Sequence, residues 1–290
     1  MRVLSFGLLI APLWIVGARA DILGNAGSFA VLGGSTVTNT GPTVVNGNLG
    51  VSPGCAVTGF PPGTATIDAG PCPANNAVAS LAQSDLLTAY NGLAGLSSEA
   101  NLTGTDLGGL VLESGVYTFN SSAQLTGILT LNAQGLANQL WVFQIGSTLT
   151  TASASTVNII NPGANDGVFW QVGSSATLGT TTAFEGNIVA LTSITLNTGA
   201  TISCGRALAL NGAVTMDTNT FDNTCSLAGD SGGLTGGLGV NSSGGISPVS
   251  GATVVPEPNF LIVPLGFGML GLALMMRTRA KAKAREPKVS

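Results

Sequence analysis

Thr177-Leu178-Gly179-Thr180 and Thr195-Leu196-Asn197-Thr198 carry one phrase twice, 18 residues apart. The phrase returns as Thr130-Leu131-Asn132-Ala133, Thr148-Leu149-Thr150-Thr151 and Thr215-Met216-Asp217-Thr218, with a weaker copy at Thr36-Val37-Thr38-Asn39. The intervals between the five later copies are 18, 29, 18 and 20 residues. A period of about 20 residues is that of a solenoid, in which each repeat is one coil stacked on its neighbours. Within the phrase, Thr outward, Leu or Met inward and a polar residue outward is the alternation of a half-buried strand. The spacing predicts ranks of threonine on an outer face.

The surrounding sequence fits strands at successive coils. Val111 to Phe119, Leu140 to Ile145, Val168 to Val172, Gly186 to Leu191 and Ala207 to Leu210 are rich in β-branched, leucine and aromatic residues. Phe143-Gln144-Ile145-Gly146-Ser147 and Trp170-Gln171-Val172-Gly173-Ser174 align without a gap, which predicts equivalent positions in neighbouring coils. Asn46-Gly47, Asn211-Gly212 and Pro162-Gly163 mark corners. One segment breaks the pattern. Residues 75–96 place Val78, Leu81, Ala82, Leu86, Ala89, Tyr90 and Leu93 at helical spacing, with Asn75 or Asn76 as cap and Gly92 and Gly95 near the end. The fold expected is mainly β, a right-handed solenoid of three-sided coils with one long helix against a hydrophobic flank.

Charge excludes several functions. Only 8% of the 290 residues are charged. Between Asp21 and Pro258 one basic residue, Arg206, stands against twelve acidic ones, a net of −11. Nucleic-acid binding needs clustered Lys and Arg, so it is set aside. Histidine is absent, which removes the commonest general base and transition-metal ligand. A solenoid lyase or glycosidase needs a base with a cation, or two facing carboxylates, and the domain offers neither pattern. Asp166, Glu185, Asp217 and Asp222 lack the dense spacing of a calcium loop and read as turn residues. No catalytic residue, metal or cofactor is expected, and the domain is expected to be a monomer.

The ends read as addresses. Residues 1–20 have a basic start at Arg2, an apolar run and Ala18-Arg19-Ala20, the pattern of a secretory signal peptide. Four cysteines in an exported chain suggest two disulfides. Chain order suggests Cys55 with Cys72 and Cys204 with Cys225, although three connectivities are possible and buried free thiols are the alternative. Residues 226–254 read as a Gly/Ser-rich linker. Then come Val255-Pro256-Glu257-Pro258, an apolar run over 260–276, and the basic tail Arg277, Arg279, Lys281, Lys283 and Arg285 within a terminal region spanning 255–290. This order resembles the PEP-CTERM sorting signal. The resemblance implies that the span is cleaved and the protein sent to the cell surface or extracellular matrix. The alternative is a retained single-pass anchor with its cytoplasmic end marked by positive charge.

Residues 21–225 hold the domain. Leu23-Gly24-Asn25-Ala26-Gly27-Ser28-Phe29-Ala30-Val31-Leu32 and Gly47-Asn48-Leu49-Gly50-Val51-Ser52-Pro53-Gly54 resemble the start of the DUF3494 ice-binding proteins. Gly115-Val116-Tyr117, Gln124-Leu125-Thr126-Gly127, Gly186-Asn187-Ile188 and the stretch Gly205 to Thr215 continue the likeness. The resemblance implies a discontinuous right-handed β-solenoid of triangular section with one helix alongside, its N-terminal segment closing into the same solenoid. It also implies a flat face that orders water and adsorbs to ice, inhibiting growth and recrystallisation. A Thr-Ala/Gly-x-Thr/Asn motif of that family is matched by Thr40-Gly41-Pro42-Thr43, by Thr198-Gly199-Ala200-Thr201 and, on the helix, by Thr88-Ala89-Tyr90-Asn91. The expected ice-contacting set is Thr40, Thr43, Thr151, Ser153, Thr180, Thr182, Thr198, Thr201, Thr218 and Thr220, at the end of the phrase and just after it. Two other readings stand beside it: threonine favoured only for β propensity, and a structural or adhesive module of an exopolysaccharide matrix without ice activity.

Overall fold

A computed structural model describes residues 21–67, 77–224, 233–240 and 245–249. Its strands wind as three-sided coils in one compact unit. The helix-side face runs, in spatial order, through Gly115–Phe119, Leu140–Ile145, Gly167–Val172, the second halves of Ala183–Ala190 and Thr201–Ala209, Phe29–Gly33 and the second half of Val44–Val51. The next face, here the threonine face, runs Ala123–Leu125, Leu149–Thr151, Ala176–Leu178, Ile194–Leu196, Val214–Asp217, Thr36–Thr40 and Ala56–Thr58. The third, mixed face holds Val111–Leu112, Ile128–Asn132, Thr156–Ile160, the first halves of Ala183–Ala190 and Thr201–Ala209, Thr220–Asp222, the first half of Val44–Val51, and Thr64–Ile67. All pairings on these faces are parallel.

The solenoid is discontinuous. Val31 pairs with Ala207 and Val37 with Val214, so the N-terminal coil stacks on the last coil of the C-terminal half. Narrow coils turn from the mixed face to the helix-side face within one long strand. At that corner Gly186 takes φ +101°, and a Cβ on Gly205 would lie 1.9 Å from the Gly186 carbonyl oxygen. The two glycines therefore let successive backbones stack where any side chain would clash. Wider coils instead insert loops over residues 133–139 and 161–166. Asp166 holds both together by accepting the Gln139 and Gly163 N–H groups at 2.9 and 2.8 Å.

The core lies inside the coils. Phe143 and Trp170 pair in register and stack with ring centroids 4.0 Å apart, as the aligned pentapeptides predict. Tyr117 extends the stack on one side and Phe184 tilts against it on the other. The helix-side strands are apolar on both surfaces. Phe29, Val142, Phe169, Val189 and Leu208 face outward into a second core beneath the helix, which explains their continuous hydrophobic runs.

The helix spans Ala77–Ala94 and buries Ala79, Ala82, Leu86, Ala89 and Leu93. This corrects the expected stripe: Val78 and Leu81 are 47% and 55% exposed. Alanines at the contact let the helix axis approach the sheet closely, so the larger neighbours turn outward. Gln144 Nε2 donates to the Leu93 and Leu96 carbonyls at 2.8 Å each and caps the helix C-terminus. Midway along the helix Asp85 accepts the Asn25 backbone and side-chain N–H groups.

The expected linker also needs correction. Leu234, Thr235 and Leu238 are buried, and Leu238–Val240 pairs antiparallel with Ile246–Pro248. Buried Asn187 donates to the Gly233 and Leu234 carbonyls, and Arg206 donates to Asn187 Oδ1, Gly233 O and Gly27 O. A segment with two leucines among glycines buries enough surface once side-chain donors meet its carbonyls. The lone cation of the domain thus fastens the segment that follows the solenoid.

Residues 1–20, the PEP-type motif and the apolar run 260–276 lie outside the described residues. Among those described, no helix is long and apolar enough to cross a membrane. Cys55 and Cys204 are disulfide-bonded; Cys72 and Cys225 lie outside the described residues.

Candidate functional site

The threonine face is a grid. Registers place Thr150 opposite Gln124 and Thr177, Thr177 opposite Thr195, Thr195 opposite Thr215, Thr215 opposite Thr38, and Thr38 opposite Thr58. Six threonines and one glutamine thus form a single outward rank. The inward neighbours Leu125, Leu149, Leu178, Leu196, Met216 and Val37 are buried, so the core fixes the direction of each threonine. Strands stand ~4.8 Å apart and alternate residues ~6.6 Å apart. Two residues to one side runs a second rank: Ser122, Thr148, Ser175, Ser193, Ala213, Thr36 and Ala56. Two residues to the other side lie Thr126, Ala152, Gly179, Asn197, Asp217 and Thr40. Hydroxyls cross-link some neighbours: Thr38 donates to Thr215 at 3.3 Å and Thr148 to Ser122 at 2.8 Å.

The structure distributes the expected residues over three environments. Thr43, Thr151 and Thr182 are buried inside the coils. The Thr151 and Thr182 hydroxyls pair at 2.8 Å, Thr151 also accepts the Gly179 N–H, and Thr43 accepts the Asn219 N–H. These three satisfy the corner backbone and present no surface. Ser153, Thr180, Thr198 and Thr218 lie at the corner between the threonine and mixed faces. Thr201 and Thr220 pair with each other on the mixed face. Only Thr40 belongs to the grid. The Thr130 copy of the phrase is on the mixed face, opposite Val111 and Asn158. The Thr148 copy is slipped by two residues against the Thr177 copy, because Leu149 pairs with Ala176. That slip puts Thr151 at the inward position that Leu178 fills in the next coil.

The mixed face has the same ladder with different chemistry. One rank reads Ile128, Thr156, Ala183, Thr201, Thr220, Val44 and Thr64. The next contains Asn158, Glu185, Ser203, Asp222 and Asn46. Ile128 and Val111 are 56% and 64% exposed. Burial pushes the Glu185 carboxyl up to about 7, against the opposing hydrogen bond from the Ile159 N–H. Among the described residues no group of acidic, cysteine or histidine side chains is arranged to hold a metal.

A solenoid whose regular threonine grid occupies one whole face defines a class of proteins built around a repetitive flat surface. Residues 31–222 match the family model described as Ice-binding-like, and the chain belongs to that family. It is 53% identical over 262 residues to an ice-binding protein of Nostoc sp. (strain HG1), covering 90% of this chain and 88% of that one. An ice-binding protein of Colwellia sp is 37% identical, covering 71% and 85%. Among solved structures, an ice-binding protein from an Antarctic biological consortium superimposes with TM-score 0.64 at 43% identity, covering 73% of this chain and 94% of that one. That of the Antarctic ascomycete Antarctomyces psychrotrophicus does so with TM-score 0.63 at 41% identity, covering 68% and 95%.

Proposed function

We propose that this protein adsorbs to ice through the threonine face and thereby inhibits ice growth and recrystallisation. The observation that carries the reading is the in-register rank Thr150–Thr177–Thr195–Thr215–Thr38–Thr58. Threonine is stiff at χ1, so methyls and hydroxyls repeat at fixed positions on a rigid ladder. The methyls disfavour strongly bound disordered water, and the hydroxyls hold single waters at lattice-like intervals. The names of the relatives above support the ligand.

The ice-contacting set is therefore revised to the central rank with Thr36, Thr40 and Thr148 beside it. The protein acts as a monomer and without catalysis, which accords with the absence of histidine and the single basic residue of the domain. The N-terminal pattern supports export, and disulfides pairing Cys55 with Cys72 and Cys204 with Cys225 accord with an oxidising destination. The C-terminal pattern supports display at the cell surface or in the matrix. The test is thermal hysteresis of the folded protein. Thr177→Tyr with Thr195→Tyr should remove most of it at an unchanged melting temperature. Wild-type hysteresis in that double variant would overturn the assignment.

A further inference from the structure

Two carboxylates stand on the threonine face among the described residues: Asp106, bridged to Gln124 at the end of the rank, and Asp217 within the grid, whose charge the structure shows to be held by its neighbours. Asp217 stands outward on the last strand of the C-terminal half, opposite Thr40 of the N-terminal coil. Both carboxylate oxygens are occupied from the face itself. The Thr198 hydroxyl donates to Oδ2 and the Thr218 hydroxyl to Oδ1, the latter at 3.0 Å. The backbone holds the three residues in place: Gly199 N–H donates to the Asp217 carbonyl and Thr218 N–H to the Thr40 carbonyl. Asn219 Oδ1 accepts the Asp217 N–H at 2.6 Å. Gly41 closes the site. At φ +77° it brings bare backbone against the pair, and a Cβ there would lie 2.3 Å from the Thr218 hydroxyl.

A threonine hydroxyl has one proton and two lone pairs. At Thr198 and Thr218 the proton is committed to the carboxylate, and charge-assisted bonds of this kind are about twice as strong as neutral ones. What each side chain offers to water is then a methyl and lone pairs alone. We infer that Asp217 is a positioning residue for ice adsorption: it fixes the proton direction of Thr198 and Thr218, so that the corner bordering the grid only accepts hydrogen bonds and imposes one orientation on the water at the margin of the ice-contacting set. Thr38 and Thr148 donate to neutral hydroxyls, whose chains of protons can reverse together; a carboxylate has no proton to return, so the orientation at Asp217 is fixed. This rests on the reading that the threonine face meets ice.

The test compares Asp217→Asn, Thr195→Tyr and wild type for thermal hysteresis and melting temperature. Asparagine keeps the size but offers one acceptor oxygen and a donating amide, so one threonine proton is released toward solvent. A severalfold loss of hysteresis at a nearly unchanged melting temperature is expected for Asp217→Asn, and a larger loss for Thr195→Tyr. Adding Thr198→Val and Thr218→Val to Asp217→Asn should cost no further hysteresis, because the carboxylate acts through those hydroxyls. If Thr195→Tyr is inactive but Asp217→Asn is fully active, the role of Asp217 falls and the face assignment stands. If Thr195→Tyr is fully active, the face assignment falls and takes this inference with it. A multiplicative extra loss in the triple variant would overturn action through the two threonines. Should Asp217→Asn fail to fold, Thr198→Val with Thr218→Val decides: both keep their methyl positions, and full hysteresis in that pair overturns the proposal.

Discussion

The threonine face and the mixed face stand on the same parallel ladder, share coils and share one core, yet their outer chemistry diverges. On the threonine face the central rank is threonine in six coils out of seven. On the mixed face the equivalent ranks alternate threonine with Ile128, Ala183 and Val44, and place Glu185 and Asp222 beside them. β propensity acts equally on both, so it explains why threonine is frequent but not why one face alone is uniform. Uniformity on one side of a shared scaffold is the mark of a surface with a periodic ligand.

The comparison breaks most decisively by exchange of bulk. Thr201→Tyr and Asn158→Tyr on the mixed face should leave thermal hysteresis at the wild-type level, whereas the same change at Thr177 and Thr195 removes most of it. Equal losses on both faces would mean that flatness of one face is not what matters.

A second test uses the buried carboxylate of the mixed face. Glu185 has its carboxyl raised to about 7 by burial. Its folded value lies above its unfolded one, so its contribution to stability is complete below the unfolded value and is lost as pH rises through about 7. Raising the pH from about 5 to about 9 should cost at most about 3 kcal/mol of unfolding free energy from this group. Chemical denaturation of Glu185→Gln against wild type should show the difference in pH slope, with hysteresis unaffected.

Smaller in energy is the contrast between threonines outside and inside the coils. Thr151→Ala leaves the Gly179 N–H and the Thr182 hydroxyl without their shared partner, a cost of about 1–3 kcal/mol. Denaturant melts should register that loss while hysteresis of the folded protein persists. The smallest effect belongs to the exposed apolar residues of the mixed face. Ile128→Thr should change stability by less than about 1 kcal/mol and leave hysteresis as it is.

Much of the architecture was legible in the sequence because it is local. Coil length, the Phe143 and Trp170 pairing and the helix all follow from spacing that a short window contains. The candidate site was less legible, since a rank depends on cross-strand register. Two residues of slip between the Thr148 and Thr177 copies send Thr151 inward, because the copies are 29 residues apart whereas Phe143 pairs with Trp170 and Thr150 with Thr177. Thr43, Thr151 and Thr182 also look like their exposed counterparts by residue type. What separates them is a corner backbone group that needs a partner, an N–H for Thr43 and Thr151 and the Ala152 carbonyl for Thr182, visible only when the coils are stacked. The same holds for residues 233–240, whose glycines read as a spacer until Arg206 and Asn187 are placed beside them.

The join between Thr215 and Thr38 has a consequence for how the surface comes into being. These neighbours on the grid are 177 residues apart in the chain, and the seam between them lies within the rank, not at its end. A contact so distant forms late, because the loop-closure entropy of the intervening chain must be overcome first. A growing chain therefore presents two short, separate patches for most of its synthesis and gains one continuous surface only when its two ends meet. Adsorption to a crystal, which depends on the whole length, then distinguishes finished molecules from unfinished ones.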